Sequence, residues 1–182
     1  MKHAIVCAGF GGQGVMSMGQ LLSYSSMIEG KEVSWLPSYG PEMRGGTANC
    51  HVTISDKPIG SPIITKATVA IVMNLPSMTK FEDMIEENGA MFVNSSLIDR
   101  KVGRDDVKGI YIPANEIALE IGNAKAANMV MLGAFLEHSN IVNEDSIIEA
   151  FKKVFGKGKE HLIDLNKEAL KRGREVYKKN MA

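Results

Sequence analysis

Glycines at 9, 11 and 14 stand where an apolar run from His3 to Ala8 gives way to a helical pattern, the setting in which bare backbone can bind a ligand. Gly-x-Gly-x-x-Gly in that setting is the dinucleotide-binding fingerprint: only glycine allows the tight turn, the close backbone approach and the close helix packing together. In Gly9-Phe10-Gly11-Gly12-Gln13-Gly14 the second half is unusually bare. Gly11, Gly12, Gln13 and Gly14 leave backbone N–H groups at a helix N-terminus uncovered, so these four are the candidate contacts to an anionic or carbonyl group. The same glycines would also serve a helix that must lie close to the sheet, and the sequence leaves both readings open.

A second constellation follows. Ser38 to Gly46 is bounded by Gly40-Pro41 and Gly45-Gly46, turn-formers at both ends, and reads as a loop. It holds Tyr39, Glu42, Met43 and Arg44, an aromatic ring, a carboxylate, a thioether and a guanidinium, the mixture found at interface hot spots and anion clamps. These four are candidate interface residues, against the alternative that Glu42 and Arg44 only brace the loop. Thr47–Ser55 then alternates strictly, with Ala48, Cys50, Val52 and Ile54 on one face and Thr47, Asn49, His51, Thr53 and Ser55 on the other. That pattern predicts one buried and one wet face, the wet one a docking surface that includes Asn49. His51, a single histidine on a polar strand face, gets no catalytic role, and Cys50 reads as packing. A dinucleotide site needs an acid near the end of the second strand to hold a ribose hydroxyl; Pro37, Ser38 and Tyr39 stand there, which counts against NAD. Glu29 reads as a solvated helix end.

Periodicity gives the strands and helices that carry these loops. His3–Ala8 is a buried strand, Val15–Glu29 a helix stopped by Gly30, and Glu32–Leu36 a strand expected parallel to the first. Ala67–Met73 is another buried strand, leading to Asn74, a possible site residue, and to a helix with Met78, Phe81, Met84 and Ile85 on one face that Asn88-Gly89 should end. Strands follow at Ala90–Val93 and Gly109–Ile112, with a solvated connection over Arg100–Lys108. Asn115 is expected to cap the next helix, a largely buried helix to run from about Ala126 to Glu137, and Asn143 to cap one ending at Gly156. The lysines after Gly156 read as surface. A last helical stripe runs from Leu162 through Leu165 and Ala169 to Val176, with Gly173 weakening it.

The length of 182 residues suits a single domain, 1–182, with no repeat or composition break. With 21 basic and 21 acidic residues no broad field recruits nucleic acid or an anionic membrane. The two cysteines, Cys7 and Cys50, exclude a four-thiolate cluster or zinc site made by this chain alone. No metal site and no catalytic acid, base or nucleophile is nominated. The absence of a leader and of any run of about 20 apolar residues reads as a cytoplasmic protein.

Taken together, Gly9-Phe10-Gly11-Gly12-Gln13-Gly14-Val15 and Ser38-Tyr39-Gly40-Pro41-Glu42-Met43-Arg44-Gly45-Gly46-Thr47-Ala48 resemble the gamma subunit of 2-oxoacid:ferredoxin oxidoreductases, in the 2-oxoglutarate-type branch. The resemblance implies an α/β fold like the gamma domain of pyruvate:ferredoxin oxidoreductase: three layers, a mostly parallel or mixed sheet, and a Rossmann-like start. It implies alpha and beta subunits and a ferredoxin-like delta subunit as partners, and ferredoxin reached through the complex. Thiamine diphosphate with magnesium and the iron–sulfur clusters would belong to those partners, with coenzyme A accepting the acyl group; this chain alone would bind no cofactor and be inactive alone. Two other classes remain beside it: a non-catalytic interaction module, and a free-standing nucleotide-binding enzyme using the Gly9–Gly14 loop.

Overall fold

The computed structural model describes residues 1–38 and 47–182. Six strands, β1 (Lys2–Phe10), β2 (Glu32–Ser38), β3 (Thr47–Ser55), β4 (Ala67–Val72), β5 (Ile85–Asn94) and β6 (Lys108–Ile112), form one sheet in the order β2-β3-β1-β4-β5-β6. β1, β4, β5 and β6 are parallel, whereas β3 is antiparallel to both of its neighbours, β1 and β2. The mixed sheet expected from the sequence is therefore present. β2 does run in the direction of β1, as the handedness rule predicts, but β3 lies between them.

The side-chain period of two sorts each strand between two cores. Ile5 and Cys7 of β1, Val69 and Ile71 of β4, and Phe92 of β5 enter one layer. It is built with α1 (Val15–Ile28), α3 (Ala114–Ile121), α4 (Ala127–Ser139), α5 (Glu144–Phe155) and α6 (Ile163–Met181). Val6, Ala8, Val72, Met91 and Val93 enter the opposite layer, closed by Met78 and Phe81 of α2 (Leu75–Phe81) and by Ile64 and Ile98 from connecting segments. Three layers result. Each fully buried Ile or Phe stabilises the fold by roughly 1.5–3 kcal/mol relative to exposure.

Several expectations are corrected. The second face of β3 is not wet throughout: Asn49, Thr53 and Ser55 are buried, β3 being an internal strand flanked by β1 and β2. The helix after β4 ends at Phe81, a 3-10 turn spans Glu82–Met84, and Ile85 already begins β5; Asn88 (φ 65°) and Gly89 sit within that strand, at a register shift against β4, rather than at a helix end. The Arg100–Lys108 connection keeps Lys101, Asp105, Asp106 and Lys108 exposed, as expected, but is docked through Arg100, Gly103 and Arg104. Buried Glu82 pairs with Arg100 and accepts the Gly103 N–H at 2.5 Å, while Arg104 donates to the carbonyls of Glu82 and Ile85. Glu29 is not a free helix end, since its carboxylate accepts the Asn143 N–H at 2.7 Å and pairs with Lys31.

Asn115 lies inside α3, and the Ser96 hydroxyl accepts the N–H groups of its second and third residues, Asn115 and Glu116. Gly173 carries a contact that propensity alone undervalues. A Cβ there would run into the Val130 carbonyl, and one at Gly133 into the Leu170 carbonyl, so α4 and α6 cross with backbone against backbone. α4 is consequently buried on nearly every side.

Candidate functional site

α1 follows β1 into one layer and α2 follows β4 into the other, so the carboxyl ends of these adjacent strands form a topological switch point, where open α/β sheets hold ligands. The glycine turn sits there. Its members divide the two readings of the sequence between them. A Cβ on Gly9 would lie 2.7 Å from Gln13 Oε1 and 2.9 Å from Met73 Cβ, and one on Gly14 would strike the Asn128 side chain. These two serve packing. Gly12, at φ 92°, has open space where a Cβ would stand, and is the bare member.

Gln13 turns inward. Its Oε1 accepts the Phe10 N–H at 2.6 Å and the Asn74 amide at 3.5 Å, and its Nε2 donates to the Met73 carbonyl at 3.4 Å. The Gln13 amide thus spans the switch point and braces β1 to β4 there. Asn74 is engaged as well, its side-chain Oδ1 capping α2 by accepting the Ser77 N–H at 2.9 Å. Asn94, wholly buried at the end of β5, ties Met73 to Asn115 by donating to the carbonyl of one and the side-chain oxygen of the other. These uncharged amides form a rigid rail along the carboxyl edge.

On the α-layer side of the turn a cavity of about 240 Å³ opens, with Gly12, Gly14 and Ser17 on one side and Lys125, Phe155 and Lys159 on the other. Asn128, at its rim, donates to the Gly14 carbonyl at 3.2 Å and so fixes the turn against α4. Lys125, Phe155 and Lys159 carried no signal of a site in the sequence; only the fold brings residues 12, 125 and 159 together.

Tyr39, Glu42, Met43 and Arg44 lie outside the described residues. The ends of that segment are placed: Ser38 pairs with Asn49, and Thr47 pairs with Phe10 of the glycine turn. Ser38 and Thr47, which flank that segment, therefore lie at the same edge of the sheet as the glycine turn. Asn49 is buried and, with His51, Lys80 and Phe81, lines a shallower cleft beside that edge. Burial, and then the Lys80 charge, hold the His51 pKa below its ordinary value, so His51 is neutral at pH 7.

Cys7 and Cys50 stand opposite each other across β1 and β3 and are both fully buried. The neighbouring Cys50 thiol, and then burial, push the Cys7 thiol well up, so it is a packing group rather than a thiolate. Two inward thiols do not fit an iron–sulfur cluster, which needs four ligands. Among the described residues, no group of three or more His, Cys, Asp and Glu side chains is placed to hold a metal ion, and no helix is long and apolar enough to cross a membrane.

Residues 4–176 match the family model described as pyruvate ferredoxin/flavodoxin oxidoreductase. The chain is similar to the ketoisovalerate oxidoreductase subunit VorA of Methanothermobacter thermautotrophicus, at 41% identity over 96% of this chain and 36% of that protein. It is also similar to the 2-oxoglutarate synthase subunit KorC of Methanocaldococcus jannaschii, at 36% identity over 98% of this chain and 95% of that protein. It thus spans about a third of the length of the VorA relatives and nearly all of KorC. Among solved structures, the 2-oxoglutarate:ferredoxin oxidoreductase from Magnetococcus marinus, determined with 2-oxoglutarate, coenzyme A and succinyl-CoA bound, superimposes with a TM-score of 0.88 at 25% identity, over 98% of this chain and 31% of that one.

Proposed function

We infer that this chain, which belongs to the pyruvate ferredoxin/flavodoxin oxidoreductase family, works as the gamma-type subunit of a multisubunit 2-oxoacid:ferredoxin oxidoreductase. One observation carries the reading: the same unit matches nearly the whole of a free-standing subunit, KorC, and about a third of the longer VorA chains. A unit found both free and built into a larger chain is what a separable part of an assembly looks like. The reaction is the coenzyme A-dependent oxidative decarboxylation of a 2-oxo acid with electrons passed to ferredoxin. Thiamine diphosphate, magnesium and the clusters reside on alpha, beta and ferredoxin-like delta partners in the cytoplasm.

The role of residues 1–182, taken as one gamma-type domain, is to complete the assembly. Its joint surface is the bare backbone of the glycine turn at Gly12 with Tyr39, Glu42, Met43 and Arg44, a reading supported by the open space at Gly12 and by the pairing of Thr47 with Phe10. The substrate is first tested as 2-oxoglutarate, favoured by the match to nearly the whole of KorC; ketoisovalerate is the second candidate, favoured by the 41% identity to VorA. Purification of the tagged chain at native expression is expected to bring down thiamine- and cluster-binding subunits, and the assembly to reduce a viologen with one of these acids and coenzyme A. Recovery of the chain without such subunits contradicts the reading. Glu42→Ala with Arg44→Ala should weaken assembly; unchanged assembly and turnover would remove those residues from the surface.

A further inference from the structure

Cys7 and Cys50 are directly opposite on β1 and β3, on the face that enters the helical layer, and both are fully buried. The ladder fixes their separation. Pro37 of β2 stands opposite Cys50 and has no N–H, so those two cannot exchange ladder bonds and the Cys50 backbone must turn to β1. The Ala8 carbonyl accepts the Met73 N–H at 2.8 Å, on the β4 side, which turns the Cys7 backbone to β3. Cys7 and Cys50 are therefore a hydrogen-bonded cross-strand pair, with α carbons about 5.5 Å apart. A disulfide spans about 5.5–6 Å between α carbons, so the pair stands at bridging distance.

The surroundings treat the two sulfurs differently. The Cys50 thiol donates to the Val15 carbonyl at 3.4 Å. A Cβ added to Gly19 would run into Cys50 Sγ and stand 3.0 Å from Trp35 Nε1, so sulfur and indole meet beside that glycine. Trp35 Nε1 is buried and has no acceptor among the described residues. A buried N–H without an acceptor is costly, and a Cys50 thiolate would supply one. The Cys7 S–H, and after it the Trp35 indole, draw the Cys50 thiol below its ordinary pKa against the opposing effect of burial, while Cys7 is held well above its own. One sulfur is thus suited to attack and its neighbour keeps the proton. Access comes from the edge: β2 is the outermost strand, and Pro37 leaves β3 without a bond opposite Cys50, so local opening there admits a water-sized oxidant.

We propose that Cys7 and Cys50 form a reversible intrachain disulfide, a redox-sensitive clasp between β1 and β3. The oxidant is a hydroperoxide. With hydrogen peroxide, the Cys50 sulfur attacks one oxygen, the O–O bond breaks, and a sulfenic acid forms as water leaves. The Cys7 sulfur then attacks Cys50, the S–S bond forms and a second water leaves. Two thiols have lost two electrons and two protons to one peroxide. A reducing thiol restores the pair by exchange. The β carbons of a cross-strand pair stand about 4.5–5.5 Å apart and those of a disulfide about 3.5–4.5 Å, so closure draws the strands together. The clasp lies between Gly9 on one strand and Thr47 on the other and the rest of the ladder, so closing it stiffens the edge that carries the glycine turn.

The test treats the reduced full chain with hydrogen peroxide, then unfolds and alkylates it for intact mass. Neither cysteine should take the alkylating group, the chain should be two hydrogens lighter, and dithiothreitol should restore both thiols, with circular dichroism unchanged throughout. In glutathione buffers the folded chain should favour the disulfide by roughly tenfold over the chain in urea, because the fold holds the two sulfurs together. By linkage the oxidised chain should then be more stable by the same factor, about 1.4 kcal/mol, and melt higher. Cys7→Ala should stop Cys50 at the sulfenic acid, trapped with dimedone, and Cys50→Ala should leave Cys7 unreactive. If either variant does not fold, the mass and glutathione measurements on the parent chain decide. Thiols still open to alkylation after peroxide, a disulfide formed only between chains, or a glutathione equilibrium equal to that in urea overturns the proposal.

Discussion

Glycine does opposite work in two regions of this molecule. At the crossing of α4 and α6, Gly133 and Gly173 are each closed over by the other helix's backbone, so a single added carbon has nowhere to go. At the carboxyl edge, Gly12 faces open space, and what it contributes is a left-handed backbone and an uncovered surface. The first pair creates rigidity far from any site. The second position keeps a rim of the sheet bare where the chain has its cationic cavity. A count of glycines cannot separate these uses; the atom a Cβ would meet does.

The comparison can be broken by substitution. Gly133→Ala or Gly173→Ala should cost about 3 kcal/mol or more of stability, read from denaturant melts, because backbone on the facing helix must move. A loss well under 1 kcal/mol would show that the crossing is loose. Glu82→Ala should come next, at about 2–3 kcal/mol, since it leaves the Gly103 N–H without its acceptor and Arg100 without its buried partner. Arg100 is partly exposed and regains some hydration, which keeps the value below that of a fully buried pair.

Gly12→Ala should cost only about 1 kcal/mol, from the positive φ alone, while altering partner or ligand binding out of proportion to that loss. The smallest effect expected is on acid stability. Burial is the largest cause holding His3, His51 and His138 below the ordinary imidazole pKa, with neighbouring positive charge adding to it. The unfolded chain therefore takes up protons first. Stability is fully present above about pH 6.5 and declines as pH falls below it. Melting temperatures at pH 7.5 and 5.5 measure this, and His138→Phe, which leaves the Tyr177 hydroxyl without its 2.8 Å partner, should shrink the difference.

Much of the frame was legible in the sequence. The alternation of Ala48, Cys50, Val52 and Ile54 marked a buried face, and Gly30 and Gly156 closed helices at positive φ. The opposite face of β3 was misread because burial of Asn49, Thr53 and Ser55 depends on which strands flank β3, a matter of topology rather than of local pattern. The Ile85–Gly89 strand was missed because its helical stripe and the Asn88-Gly89 stop satisfied helix rules, and only pairing with β4 decides otherwise. At the site, the bareness of Gly12 was readable. The inward turn of Gln13 and the meeting of Lys125 with Lys159 were not, since both rest on contacts between residues far apart in the chain.

Reconstitution decides whether this chain completes an oxidoreductase assembly without doing its chemistry. The purified complex would be dissociated, the other subunits reassembled with and without this chain, and 2-oxo acid- and coenzyme A-dependent viologen reduction measured. Loss of activity without the chain and its return on addition are predicted, with the thiamine diphosphate and iron content of the other subunits unchanged. Full activity in its absence, or oxidation by the isolated chain alone, would contradict the account.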